Sequence, residues 1–178
     1  MTIKRMILIS TFAALLVLSA LSPVQIEGVA FTLQTMAIML IGLLMRPRDS
    51  FLTVLVYLFV GLVGLPVFSN AQAGFHVFVG PTGGFLVAFP FASFLISLFK
   101  SKDKNILKDI LVLFLFGFLF VYLVGIPYFS FITTIPIGHA ITLTFIPFYL
   151  VDIVKIVIAY MIYYLIPDDL KSHFGSIK

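Results

Sequence analysis

Residues 106–126 read ILKDILVLFLFGFLFVYLVGI, and after Asp109 no charged residue interrupts the stretch. An unbroken apolar run of about 20 residues matches the hydrocarbon core of a bilayer when wound as an α-helix. A β-barrel strand would alternate apolar and polar residues, which this run does not do. Five more apolar runs flank it: Met6–Leu21, Phe31–Met45, Phe51 to about Val63, Gly83–Phe99 and Ile141–Ile166. The chain of 178 residues is 62% hydrophobic and 10% charged. A soluble domain is about half apolar and a quarter charged, so too little polar surface exists here to coat a globule in water. The pattern predicts an all-α membrane protein, one integral-membrane domain spanning residues 1–178, with six transmembrane helices. Pro23, Pro66, Pro81, Pro127 and Pro136 are expected at or beyond helix ends, where a missing N–H is tolerated. The first run follows Lys4 and Arg5 as a signal peptide would. Its length, and the membranous chain that follows it, favour a retained span.

Charge placement sets the orientation. The chain has 11 Lys and Arg residues. Lys4 and Arg5 precede run one, and Arg46 and Arg48 separate runs two and three. Lys100, Lys102, Lys104 and Lys108 separate runs four and five, and Lys171 and Lys178 follow run six. With six spans all of these share one side. The opposite connections, roughly 22–30, 64–82 and 127–140, hold no Lys or Arg. Basic residues gather in cytoplasmic loops, so both termini are predicted to be cytoplasmic. The formal charge of +4 is accounted for by this belt. No contiguous basic face with interleaved aromatics exists, and a nucleic-acid partner is not expected.

The remaining cation, Lys155, lies within run six, with Asp152 three residues before it. That spacing puts both on one helix face. An ionisable residue within a membrane costs at least about 2.5 kcal/mol, so it faces a cavity or a partner. A polar ligand site, a structural ion pair and a proton or ion relay all stay open from the residues alone. Polar groups also gather at the outer ends of the helices. Gln34 lies in Phe31-Thr32-Leu33-Gln34-Thr35, and Asn70, Gln72 and His76 lie in the 64–82 connection. That connection ends in Gly80-Pro81-Thr82-Gly83-Gly84, whose glycines permit close backbone approach. His76 and His139 form no metal-binding pattern, and the chain has no Cys, so no metal is expected. Glu27 is the one acid of the outer face and is read as solvated. No nucleophile–base constellation and no phosphate-binding Gly-rich Lys motif occur, so the chain is not expected to be an enzyme or to hydrolyse ATP. An ion-coupled secondary transporter, with Asp152 as proton carrier, is the alternative for a solute-handling chain.

Four pieces in this order resemble the BioY family, the biotin-binding S components of energy-coupling factor (ECF) transporters. They are Phe31-Thr32-Leu33-Gln34-Thr35, Gly61-Leu62-Val63-Gly64-Leu65-Pro66-Val67-Phe68, Gly80-Pro81-Thr82-Gly83-Gly84 and the Asp152/Lys155 pair. The resemblance covers about residues 6 to 166. It implies a six-helix bundle in the cell membrane, open to the outside. It also implies biotin as ligand without a cofactor, and partnership with a membrane T component and two cytoplasmic ATPases. The implied ligand-binding set is Gln34, Asn70, Gly83, Gly84, Phe85, Tyr149, Asp152 and Lys155. Asp152 would accept a ureido N–H, and backbone N–H groups of Gly83 and Gly84 would hold the carboxylate. Ser10, Ala13 and Ala14 are the small residues implied to dock on the T component. The sequence departs from the family pattern at Val151, where Gly is frequent, at Phe85, where Tyr is common, and at Val17, where a second Ala would complete an Ala-x-x-x-Ala face.

Overall fold

The computed structural model describes residues 2–21, 24–26, 29–103 and 105–175. The first five apolar runs each become a helix, and the sixth becomes a broken pair. The first is α1, Ile3–Ala20. A short antiparallel hairpin follows, β1 Val24–Ile26 and β2 Val29–Phe31, with Val24 opposite Phe31 and Ile26 opposite Val29. The fold is therefore helical with one small hairpin, rather than purely α. Glu27 lies outside the described residues. Next come α2, Gln34–Leu44, and α3, Pro47–Leu62. The 64–82 connection is not structureless: it holds a 3₁₀ turn at Ser69–Ala71 and the single helical turn α4, Phe75–Phe78. Helix α5 is Gly83–Phe99.

The stretch that opens the sequence reading forms one continuous helix over residues 106–133, in three parts. These are α6 (Ile106–Val112), a π-helical segment (Leu113–Leu119) and α7 (Phe120–Thr133). Pro127 thus lies inside a helix, not at its end. Neighbouring helices supply enough packing in a membrane to carry a helix through a proline. The following connection shrinks to residues 134–136, where Thr134 takes a left-handed conformation at φ 59°. Run six also differs from expectation. It starts earlier and is broken into α8 (Ile137–Thr144) and α9 (Tyr149–Leu165), which meet at 52°. Pro147 lies in the break. Helix α10, Asp168–Phe174, closes the described chain.

By length and composition, 3–20 and 106–133 are long and apolar enough to cross a membrane, and the bent pair α8–α9 is a third such span when taken as one. Helices α2 and α5 are apolar but shorter.

Packing places α2 at the centre, against α5, α9 and α1, and α5 also contacts α3 and α7. Nine of the α2 residues are buried, from Gln34 to Leu44. A helix apolar on all sides belongs inside a bundle. Gly42 lets α2 approach α5, since a Cβ there would stand 2.7 Å from the Ile96 Cβ. At about 1.5 Å per residue α2 is only about 17 Å long, so it ends inside the bundle. The last carbonyls of a helix lack intrahelical partners. Lys100 supplies them: its Nζ donates to the carbonyls of Leu43 (2.6 Å), Met45 (2.9 Å) and Gly42 (3.3 Å). Ser97 Oγ donates to Met45 O at 2.6 Å. Burial draws the Lys100 pKa down to about 7, opposed by the Asp109 charge. Asp109, fully buried, accepts from Ser101 N (2.6 Å) and Ser101 Oγ (2.7 Å) and so ties the start of α6 to the end of α5. At the same end of the bundle Arg5 pairs with Asp49, joining α1 to α3.

Candidate ligand-binding site

Helix α9 buries Asp152, Lys155, Ile156, Ala159, Tyr160 and Tyr163, a helical spacing that turns one face inward. Because the break at 145–148 restarts the helix, Asp152 falls in the first turn of α9. The two charged side chains are 5% and 6% exposed, and Lys155 Nζ stands 2.7 Å from Asp152 Oδ1. Lys155 also donates to Thr35 Oγ1 at 3.0 Å, and Thr35 reaches Asp152 Oδ1 at 3.4 Å. Tyr122 OH donates to Asp152 Oδ2 at 2.5 Å. The carboxylate is thus held by one cation and two hydroxyls from α2, α7 and α9. A buried ion pair persists only when further hydrogen bonds serve its remaining valences, as these do.

This cluster lines a cavity of about 320 Å³, within the range of small-molecule sites. Gln34 and Thr35 face it from α2, and Phe68, Ser69, Asn70 and Gln72 from the 64–82 connection. Phe85 and Phe89 come from α5, Tyr122 and Phe129 from α7, and Phe148 from the α8–α9 break. Gln34 is fixed from both ends. Its Nε2 donates to Tyr57 OH at 2.6 Å, and its Oε1 accepts from Thr32 Oγ1 at 2.9 Å. Tyr57 OH in turn donates to Val67 O at 3.2 Å, which anchors the 64–82 connection to α3. Asn70 has φ 59° and Ala71 φ 55°, so the 3₁₀ turn is sharply bent where it meets the cavity. Phe85 and Tyr122 meet edge to face in the wall at 6.0 Å, and Phe145 backs Tyr122 at 5.1 Å, also T-shaped.

Five residues singled out from the sequence therefore converge on one cavity: Gln34, Asn70, Phe85, Asp152 and Lys155. Three do not line it. Tyr149 is 36% exposed and stacks on Phe145 outside. Gly83 and Gly84 are buried for packing. A Cβ on Gly83 would stand 1.8 Å from Phe78 O, and one on Gly84 2.4 Å from the Tyr128 Cβ. Tyr128 OH donates to Phe78 O at 2.7 Å, so this double glycine lets α4, α5 and α7 close together behind the cavity. Tyr122 and Thr35 were not in the expected set. Its place as the single tyrosine of the 106–126 run was the available signal for Tyr122. His76 and His139 are exposed, and no group of three or more metal-ligating side chains stands among the described residues. On α1, Ser10 and Ala14 are exposed one turn apart, whereas Ala13 is buried in the core.

Residues 1–172 match the family model described as BioY family. The chain belongs to the BioY family. The probable biotin transporter BioY of Bacillus subtilis is 37% identical over 146 residues, covering 78% of each chain. The probable biotin transporter BioY of Pyrococcus horikoshii is 34% identical, over 91% of this chain and 95% of that one. A crystal structure of the S-component for biotin from an ECF-type ABC transporter superposes with a TM-score of 0.80 at 30% identity. It covers 96% of this chain and 98% of its own. BioY proteins are transporter proteins rather than enzymes, and this member is a multi-pass cell-membrane protein.

Proposed function

We propose that the chain is the substrate-binding component of an ECF-type ATP-driven transporter, capturing biotin from outside the cell. In this reading it is one domain of six membrane spans with both termini cytoplasmic. The broken pair α8–α9 is the sixth span, and the short α2 and α5 are carried through by their neighbours. The one-sided placement of Lys and Arg supports the orientation. A T component and two cytoplasmic ATPases supply the energy the chain cannot. The exposed Ser10 and Ala14 of α1 offer a small-x-x-x-small surface for that T component, and Ala13, buried, supports α1 from within.

The observation that carries the ligand reading is the Asp152 carboxylate within an aromatic cavity. Biotin has two ureido N–H donors, a ureido carbonyl, an apolar bicycle and an apolar chain ending in a carboxylate. Asp152 is the acceptor for a ureido N–H, and Lys155, Thr35 and Gln34 are hydrogen-bond partners around it. Asn70 and Ser69 meet the polar parts from the outer connection, and Phe85, Phe89 and Phe148 flank the apolar ones. Discrimination follows because a ligand lacking those N–H groups leaves buried polar atoms unpaired.

The test is ligand identification by mass spectrometry on protein purified without added vitamin, followed by calorimetric titration with biotin. One biotin per chain is expected. A well-folded preparation with no measurable biotin binding refutes the reading. Uptake driven by a pH gradient in liposomes holding this protein alone would favour a secondary transporter instead.

A further inference from the structure

A second concavity, about 450 Å³, lies on the flank of the bundle between α3 and α5 and shares no lining residue with the ligand cavity. Phe51 and Leu52 of α3 and Phe91 and Phe94 of α5 form its walls, and Arg48 lies at one end. The Phe51 ring meets Phe91 at 5.6 Å and Phe94 at 6.2 Å, both edge-on, so the wall is a fixed aromatic surface. Arg48 is exposed and forms no ion pair with any described residue; the acid beside it, Asp49, is taken by Arg5. The groove is thus apolar along its length and cationic at one tip. That tip lies in the first turn of α3, at the bundle end where Arg46 and Lys100 also gather. Water gains little from filling such a shape, whereas a hydrocarbon chain fits its walls. The planar guanidinium matches a phosphate with paired N–H donors.

We propose that this groove binds one anionic phospholipid of the cytoplasmic leaflet, with its phosphate on Arg48 and one acyl chain along Phe51, Phe91 and Phe94. Basic pockets between membrane helices on the cytoplasmic side select anionic head groups. The assignment rests on the orientation proposed above, which puts Arg48 at the cytoplasmic surface.

The test is native mass spectrometry of the detergent-purified full chain, titrated with phosphatidylglycerol and phosphatidylcholine of identical acyl chains. Wild-type protein is expected to retain phosphatidylglycerol about fivefold better, the scale of one basic residue near an anionic head group. Arg48→Gln is expected to bring the ratio close to one, and Arg46→Gln to leave it unchanged. Phe91→Ala is expected to weaken both lipids together. Biotin binding serves as the fold control and is expected to stay at wild-type affinity in all three variants. Equal retention of the two lipids by wild type, or an unchanged ratio in Arg48→Gln, overturns the proposal. Paired chains in place of lipid adducts also overturn it and assign the groove to a second copy. Loss of lipid preference with biotin binding intact separates this site from the ligand cavity. Absence of biotin binding in wild type bears on the ligand reading alone.

Discussion

Asp152→Asn removes one charge of a pair that the fold has sealed from water. The two side chains are 5% and 6% exposed, and the Nζ–Oδ1 distance is 2.7 Å. At an effective dielectric constant of about 20, two unit charges at that distance attract by about 6 kcal/mol. The net loss is smaller, because Thr35 still accepts from Lys155 and the side chains relax. Stranding one partner of a buried pair costs about 3–5 kcal/mol. For a chain of this length that corresponds to a fall in Tm of about 6–20 °C. Replacing both partners, as Asp152→Asn with Lys155→Met, removes the stranded charge and is expected to recover most of that loss. The assay is thermal unfolding of ligand-free protein in one detergent, for wild type, both single variants and the double. Calorimetric titration with biotin is run in parallel. The double variant is expected to melt near wild type yet fail to bind, which separates the stability role of the pair from its ligand role. If Asp152→Asn melts within about 2 °C of wild type, the pair is not desolvated as described. If the double variant melts below both singles, the two charges do not compensate one another and the reasoning fails.

Tyr122→Phe takes the hydroxyl from Asp152 Oδ2 and leaves the ring in place. A hydrogen bond to a charged group is worth about 1.5–3 kcal/mol, so biotin affinity is expected to fall at least about tenfold by titration, with the fold retained. Gly84→Ala would set a Cβ 2.4 Å from the Tyr128 Cβ. Overpacking of that kind costs about 1–3 kcal/mol, read as a lower Tm with the carboxylate cluster intact. For Lys100, the folded-state pKa of about 7 lies below its ordinary value of 10.5. Between those values the unfolded chain holds a proton that the folded chain has released, so stability rises with pH. Tm is expected to increase from pH 7 to 9 in wild type, and Lys100→Met is expected to lose that slope. Leu at both Ser10 and Ala14 is expected to leave biotin titration unchanged and to reduce co-purification with the T component.

The helices were readable because nothing but a membrane tolerates such runs, and the Asp152/Lys155 pair was readable because it is the one charged break in run six. Other features were hidden for physical reasons. Tyr122 has a ring that suits an apolar run and a hydroxyl that hydropathy barely registers, so its bond to Asp152 needed coordinates. Gly83 and Gly84 suggested open backbone for a ligand carboxylate. That space is instead filled by Phe78 O and Tyr128, because a glycine reports close approach without saying what approaches. Pro127 suggested a helix end, yet packing carried α7 on to Thr133. The break at 145–148 had no charge or glycine to announce it, and Pro147 alone marked the site where α9 begins afresh. Ala13 and Ala14 are adjacent in sequence, about 100° apart around the helix, yet one is buried and the other exposed, a distinction set by which side of α1 meets α3 and α2.

The short central helix has a bioenergetic consequence. Below the Asp152 cluster, Ile38, Met39, Ile41 and Leu43 are at most 1% exposed, and the carbonyls at the foot of α2 are occupied by Lys100 and Ser97. The vessel has a solid floor. In the proposed orientation this packed floor separates the ligand cavity from the cytoplasmic side, so the protein can accumulate in a membrane without dissipating its ion gradients.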